Sequence, residues 1–165
     1  MKHQLAQLNI ARLLAPIDSP VLAEFVANLA SINRLADEAE GFVWRLQTED
    51  GDATAIDDFG DDYLVNMSVW TDIASLHNFV YRSAHINIMV KRKSWFSRMD
   101  DAYSVLWWVP EGHKPSMEEA RAKLELLRSQ GPGPEAFTFR QPYESPLTAG
   151  EALKSAPFDD LCAAT

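Results

Sequence analysis

Hydrophobic and polar side chains alternate along four segments of the sequence, and this alternation constrains the fold more than any other feature. Residues 4–13, 42–47, 63–70 and 102–109 each carry apolar side chains at every second position, as β-strands do. On the third strand, one predicted face carries Leu64, Asn66, Ser68 and Trp70, and the other carries Val65, Met67 and Val69. On the first, Ala6, Leu8 and Ile10 oppose Gln7 and Asn9. The chain is therefore predicted to form a four-stranded sheet.

Helical periodicity separates these strands. Apolar residues at spacings of three and four predict one helix over 20–39 and two helical stretches between 72 and 99, the second over 84–99. Ser116 with Glu119 forms a capping box that opens a further helix ending at Gln130. The order strand, helix, strand, strand, helix, strand predicts an α+β fold, a ferredoxin-like split βαβ unit with an antiparallel sheet and an extra C-terminal helix. We expect one domain over 1–143 and a tail over 144–165.

Tryptophan is frequent, with five in 165 residues, and four of the five lie in predicted strands or at their ends. Trp107 and Trp108 are adjacent on one strand, so their rings point to opposite faces of the sheet. Phe42, Trp44 and Leu46 are expected to share one face of the second strand. Because the helices of this fold cover a single face, the second apolar face needs another layer. The pattern predicts that a second copy of the chain supplies it, in a homodimer.

The composition narrows the class of protein. Hydrophobic residues make up 47% of the chain and its formal net charge is -9, which argues against general nucleic-acid binding, because that needs a basic surface. The sequence has no apolar run of the length that crosses a bilayer and no secretory signal at its start. Its single cysteine, Cys162, has no partner for an internal disulfide. We expect a cytoplasmic protein without a membrane partner.

One predicted helix face combines chemically reactive and apolar side chains. If His85 is placed at zero, residues at helical spacings follow it on the same side: Ile88, Met89, Arg92, Phe96 and Met99, with Trp95 at the margin. A bound anion held by Arg92, with His85 as acid or base, would explain the mixture. The alternative is that both polar side chains extend to the rim or bond to backbone carbonyls. Further substrate-binding candidates are Asn9, Asn66 and Ser68 on strands, and His77 and Tyr81 on the preceding helix.

Established motifs for metals, nucleotides and nucleophiles are absent from the sequence. It contains no zinc-ligand spacing, no glycine-rich phosphate loop and no G-x-S-x-G. The acidic segment Glu49–Asp62 lacks a calcium-loop spacing, so we interpret it as a solvated loop. The basic cluster 91–93 is interpreted as a solvated helix face or as a partner for that segment. No metal site and no cofactor are predicted from these patterns.

A longer set of residues resembles a known family. It comprises Trp70, residues 76–81, His85, Arg92, residues 94–96 and 106–110, Gly112, His113, Pro115, Glu119, Ala120, Gly131, Pro132 and residues 136–139. This set resembles the family called domain of unknown function 3291, over about residues 5–143. That family is similar to the dimeric α/β-barrel superfamily, which includes antibiotic-biosynthesis-type monooxygenases, haem-degrading enzymes and muconolactone isomerase-like proteins. The resemblance implies a homodimer forming a barrel, and a pocket between sheet and helices. His85, Arg92, Trp95 and Trp107 match the motif and are the pocket candidates it supports.

Three functions follow as hypotheses, since this fold hosts several kinds of chemistry. The first is a small-molecule enzyme, a metal-independent monooxygenase or an isomerase or cyclase, acting on an aromatic or polyketide-type substrate. In it Arg92 holds a carboxylate or enolate and His85 moves a proton. The second is haem binding or haem degradation, with His77 or His85 as axial ligand and Arg92 paired with a propionate. The third is a non-enzymatic homodimer that binds a small ligand.

Overall fold

The structure is a computed structural model that describes residues 2–48 and 59–146. Four strands form one antiparallel sheet in the order β2-β3-β1-β4. The strands are β1 (His3–Arg12), β2 (Phe42–Arg45), β3 (Tyr63–Trp70) and β4 (Ser104–Pro110). The helices are α1 (Ala23–Asp37), α2 (Ile73–Arg82), α3 (His85–Lys91) and α4 (Met117–Gln130). With β1-α1-β2-β3-α2 followed by β4, this strand order is that of the predicted ferredoxin-like α+β fold.

Successive residues of β1 and β3 point to alternate sides of the sheet, and this alternation gives the sheet two chemically different faces. Residues paired directly across antiparallel strands share a face, and β1 pairs Gln7 with Ser68 and Asn9 with Asn66. We call this side, which continues to Leu5 and Trp70, the cavity face. The opposite side is apolar and fully buried, and its members from the central strands are Ala6, Leu8, Ile10, Val65, Met67 and Val69. The predicted division of β3 into two faces is confirmed.

The predicted face of β2 is wrong in part, because the strand contains a β-bulge. Phe42 pairs with Trp70, whereas Trp44 pairs with Val69, and the register shifts between them. Two residues of β2 therefore span one residue of β3, which turns Trp44 to the opposite side from Phe42. Val43, at the bulge, is exposed. A simple alternation had placed Phe42, Trp44 and Leu46 together.

Helix α4 lies on the sheet face opposite to the other helices. Its Ala120, Leu124 and Leu127 pack in one cluster with Trp107 and the apolar face of the sheet, whereas Leu76 of α2 packs with Trp70 and other residues of the cavity face. The expectation that helices cover a single face is therefore wrong. Trp107 is 1% exposed within one chain, so this face is already covered and does not need a second copy of the chain. The homodimer is still predicted, but the exposed tryptophan face no longer supports it.

The predicted second helical stretch over 84–99 is shorter than expected. Helix α2 ends at Arg82, α3 covers His85–Lys91, and a 3-10 turn over Arg92–Ser94 ends the helical backbone. Residues 95–103 then run as irregular chain to β4. Among the described residues, no helix has the length and hydrophobicity that crossing a bilayer requires. The acidic residues 49–58 and the tail from 147 onward, with Cys162, lie outside the described residues.

Candidate active site

A cavity of about 590 Å³ lies between the cavity face of the sheet and helices α1, α2 and α3. This is the volume range of small-molecule sites in proteins. Aromatic side chains from several elements line it: Phe25, Trp70, Phe79, Tyr81, Phe96, Tyr103 and Phe139. The Trp70 and Phe79 rings stack with centroids 5.1 Å apart. The walls therefore suit a flat aromatic ligand.

The floor of the cavity is polar, because every second residue along this part of β1 and β3 carries an amide or a hydroxyl group. Gln7, Asn9, Asn66, Ser68 and Ser104 all line it. Asn9 lies between Asn66 and Ser104 in directly paired positions of three strands. Within the described residues, no side-chain hydrogen bond engages Asn9 or Asn66. Both carboxamides are thus available to a ligand, each with two N–H donors and an acceptor oxygen.

His85 lies on the helical wall of the cavity, at the first position of α3. Its Nδ1 lies 3.4 Å from the Val80 carbonyl oxygen, and its ring lies 5.0 Å from the Phe79 ring, centroid to centroid. Burial lowers the pKa of His85 from its ordinary value of 6.5, and the hydrogen bond to Val80 opposes that shift. The imidazole is therefore neutral at pH 7. Since a carbonyl oxygen accepts but does not donate, Nδ1 carries the proton and Nε2 keeps a free lone pair.

Arg92 reaches the same cavity from the turn that follows α3. Its Nη1 lies 3.5 Å from the Tyr103 hydroxyl, and its guanidinium carbon lies 5.1 Å from the centroid of the Tyr103 ring. Among residues 2–48 and 59–146 no carboxylate forms an ion pair with it. A half-buried guanidinium held by an aromatic ring and without a counter-ion is suited to binding an anion.

The cavity unites most of the residues predicted as a site. His85, Arg92, Asn9, Asn66, Ser68 and Tyr81 line it, and so do Ile88, Met89, Phe96 and Met99 from the predicted wheel. Phe96 and Met99 reach it although the helix has ended before them, so their helical spacing is not the reason for their position. Tyr81 is 45% exposed and lies at the edge of the site.

Three predicted residues lie elsewhere. Trp107 lies on the other face of the sheet, where its indole Nε1 donates to Glu119 of α4 at 2.9 Å. Trp95 is 2% exposed and packs with Leu22 and Phe25 behind the cavity wall. His77 of α2 is exposed, and its ring contacts those of Tyr81 and Phe139 at the edge of the cavity. None of the three lines the cavity.

Sequence reasoning missed several polar residues of the floor and wall, among them Gln7 and Arg45. Gln7 has the parity of Asn9 and lies two positions before it, so the alternation that identified Asn9 also identifies Gln7. Arg45 lines the cavity from β2 and bonds through Nε to Asp37 of α1 at 2.7 Å. Its position depends on the bulge in β2, which no residue spacing indicates.

No curated protein matches the chain in sequence. The solved structures that resemble it weakly include two proteins. A protein of unknown function from Nitrosomonas europaea is 16% identical and has a TM-score of 0.43, with 69% of this chain and 95% of that chain covered. SnoaB, a cofactor-independent oxygenase from Streptomyces nogalater, is 18% identical and has a TM-score of 0.41, with 70% and 98% covered. Similarity at this level assigns no reaction to this chain.

The family comparison covers most of the sequence. The family described as "Domain of unknown function (DUF3291)" matches residues 4–152. The matched region contains the sheet except His3, helices α1 to α4 and every described residue that lines the cavity. The chain belongs to this family.

Proposed function

We propose that the protein is a metal-independent enzyme that acts on an enolisable aromatic or polyketide-type small molecule in the cavity between sheet and helices. The observation that carries this proposal is the placement, in one aromatic cavity, of an imidazole and of a guanidinium that forms no ion pair within residues 2–48 and 59–146. A proton acceptor beside a cation is the arrangement needed to form and hold a substrate anion.

His85 is the proposed general base. Its Nδ1–H is held by the Val80 carbonyl, so the lone pair on Nε2 is the one available to a substrate C–H or O–H. A lowered pKa keeps that lone pair free at neutral pH, at the cost of some basicity. The C–H or O–H bond that breaks leaves its electron pair on the substrate, as an enolate or phenolate, and the proton moves to Nε2.

Arg92 and the floor of the cavity supply the groups that would stabilise the negative charge formed in this step. Arg92 supplies a full positive charge, and the Asn9 and Asn66 carboxamides supply N–H donors from the floor. Such donors contribute most when they are fixed before the reaction and shielded from water. Strand pairing fixes the backbone of both asparagines, and the Tyr103 ring holds the guanidinium.

The reaction that the enolate undergoes next distinguishes a monooxygenase from an isomerase or cyclase. In the first, the activated CH2 group of an anthrone loses four electrons to O2, one oxygen atom enters the product as a carbonyl, and the other leaves as water. In the second, the proton returns at another carbon, or the carbanion closes a ring, and O2 is not consumed. The test measures O2 consumption with an oxygen electrode, with 1,8-dihydroxyanthrone as the substrate. The wild type should consume O2 above the spontaneous rate and His85→Gln should not, whereas equal rates for both would refute the monooxygenase.

Haem binding is the second candidate, and one observation favours it. A histidine that ligates iron commonly donates its other ring N–H to a backbone carbonyl, as His85 does to Val80. His85 would then be the axial ligand and Arg92 would pair with a propionate, while the iron would supply redox chemistry. His77 does not line the cavity and has no comparable arrangement.

The homodimer remains part of the proposal, supported by the family resemblance and by exposed apolar side chains. These include Val90 of α3, 76% exposed, together with Val21 and Leu14, each about half exposed. Burial of such side chains between two copies is a common source of dimer stability.

A further inference from the structure

Three side chains on the cavity face form a chain of hydrogen bonds with a defined direction. The Trp70 indole Nε1 donates to Ser68 Oγ at 2.9 Å, and Ser68 Oγ donates to Gln7 Oε1 at 2.9 Å. An indole N–H can donate but cannot accept, which fixes the first step. Because the atom against Ser68 Oγ is the Gln7 carboxamide oxygen, which only accepts, the Ser68 proton is directed to Gln7.

This direction leaves the Gln7 amide nitrogen for the cavity. Its oxygen is occupied by Ser68, and the nitrogen donates to no acceptor within residues 2–48 and 59–146. Gln7 is 9% exposed and lines the cavity. A donor that faces the cavity and has no partner within those residues is available to a ligand or to water.

The row of paired residues around Gln7 shows where that acceptor would lie. Gln7 is directly opposite Ser68 on β3 and Leu106 on β4. Asn9 and Asn66 form the next row of the same face, two residues along each strand. The floor therefore carries side-chain N–H donors in two neighbouring rows, which lie about 7 Å apart along the strand.

We propose that Gln7 is a ligand-binding residue of the cavity and selects flat ligands that carry an acceptor oxygen, a quinone or ketone carbonyl or a phenolate. Ser68 and Trp70 act as positioning residues, because they fix which end of the carboxamide faces the ligand. The proposal rests on the proposed function in one respect, namely that the cavity binds an aromatic small molecule.

The test compares two probes of similar shape, one with acceptor oxygens and one without. The probes are 1,8-dihydroxyanthraquinone and anthracene, each titrated against tryptophan fluorescence. In Gln7→Glu the two donors are replaced by an oxygen, and in Gln7→Met they are removed without adding charge. Both variants should bind the quinone about tenfold more weakly, as expected for one lost hydrogen bond to a buried group. Anthracene should bind as it does to the wild type.

Two further variants separate ligand contact from a structural role. Gln4→Glu changes an equally buried glutamine on the other side of β1, whose Oε1 accepts from Gly112 N–H and which does not line the cavity. It should leave both affinities unchanged. Ser68→Ala frees the Gln7 carboxamide to rotate, and should weaken quinone binding several-fold without affecting anthracene.

The outcomes distinguish this inference from the proposed function. If the wild type binds neither probe, the aromatic-ligand proposal is wrong and the Gln7 assignment fails with it. If the wild type binds the quinone and both Gln7 variants bind it equally well, Gln7 is not a ligand-binding residue, while the proposed function stands. Equal weakening of both probes would mean that Gln7 has a structural role, and would also overturn the assignment.

Discussion

The Trp107 indole donates to Glu119 Oε1 at 2.9 Å, and this bond joins β4 to α4. The second carboxylate oxygen, Oε2, lies 2.7 Å from His113 Nε2 in the turn between the two elements. Ser116 Oγ accepts from the Glu119 backbone N–H and caps α4. Trp107, His113 and Glu119 all belong to the sequence motif. They therefore interact with one another away from the cavity, and they hold α4 on the sheet.

Removing this carboxylate should destabilise the fold without changing ligand binding. Glu119→Ala leaves the Trp107 indole N–H buried and unpaired, which lowers the free energy of unfolding by about 1–3 kcal/mol. Glu118→Ala is the matched control, because Glu118 lies in the same helical turn and is exposed. Chemical denaturation of both variants measures the difference. Equal stability of the two would show that the Trp107 contact contributes nothing.

The lowered pKa of His85 gives both stability and turnover a defined dependence on pH. Above 6.5 the imidazole is neutral in the folded and unfolded states, and below 6.5 the unfolded chain takes up the proton first. Stability should therefore fall as pH decreases from 6.5 toward the lower folded pKa. The acid limb of the rate profile should have its midpoint below 6.5.

The measurement is thermal melting between pH 4.5 and 8 for the wild type and for His85→Gln, together with the rate of the wild type over the same range. The variant should lose the part of the pH dependence that lies just below 6.5. An unchanged profile in His85→Gln would assign the dependence to another group and remove His85 as the base.

Asp72 stabilises the start of α2, the helix that carries Leu76, Phe79 and Val80 to the cavity. Its Oδ1 accepts from the Ser75 backbone N–H at 2.8 Å, and this bond lowers the pKa of Asp72 below 3.8. Asp72→Ala should reduce stability by about 1 kcal/mol, as the loss of an N-cap does. Asp72→Asn keeps an acceptor and should lose less.

The same carboxylate should make stability sensitive to acid. Its contribution is complete above pH 3.8 and is lost as pH falls through the lower folded pKa. Urea denaturation at pH 7 and at pH 3 measures it, and the difference between the two pH values should be smaller in Asp72→Asn than in the wild type. If the variant shows the same difference, Asp72 does not contribute through its charge.

Hemin separates the two candidate functions. If the cavity takes an enolisable aromatic substrate without a cofactor, titration with hemin should give no Soret band that depends on His85. The absorbance of the wild type is compared with that of His85→Ala, with Lys93→Ala as a control for a nearby exposed residue. A shifted Soret band in the wild type and the control, lost in His85→Ala, would favour the haem-binding function instead.

The molecular mass in solution tests the homodimer. Light scattering should give twice the chain mass of 18.5 kDa at micromolar concentration, and Val90→Glu should shift the mass toward one chain, because Val90 is 76% exposed and apolar. Particles of 18.5 kDa in the wild type would contradict the homodimer. They would leave the cavity intact, since all of its described walls come from one chain.

The sequence predicts the regular part of this fold well because parity and periodicity are local properties. The bounds of β3 agree with those expected, and Asn9, Asn66 and Ser68 lie on one face because three strands keep their alternation. His85 and Arg92 both line the cavity, from the first residue of α3 and from the turn that follows it, although α3 ends at Lys91.

The remaining features depend on contacts between distant residues, which no local pattern encodes. The side of the sheet that α4 covers is set by its packing against Trp107, and the bulge in β2 is set by pairing with Trp70 and Val69. Trp95 has the composition of a cavity residue but packs into the core, because the chain leaves the helical path after Ser94. Sequence spacing could not separate it from Phe96, which does line the cavity.

The strict alternation of β1 and β3 has a consequence for how these strands tolerate insertions and deletions. A single-residue deletion within β3 would turn every residue beyond it to the other face of the sheet. Amide and hydroxyl groups would then be placed against the leucines of α4, and valine and methionine would face the ligand. Length changes in these strands should therefore be far more harmful than individual substitutions. Related chains that share this chemistry should vary in the loops and conserve the count of residues between Gln7 and Ile10 and between Asn66 and Trp70.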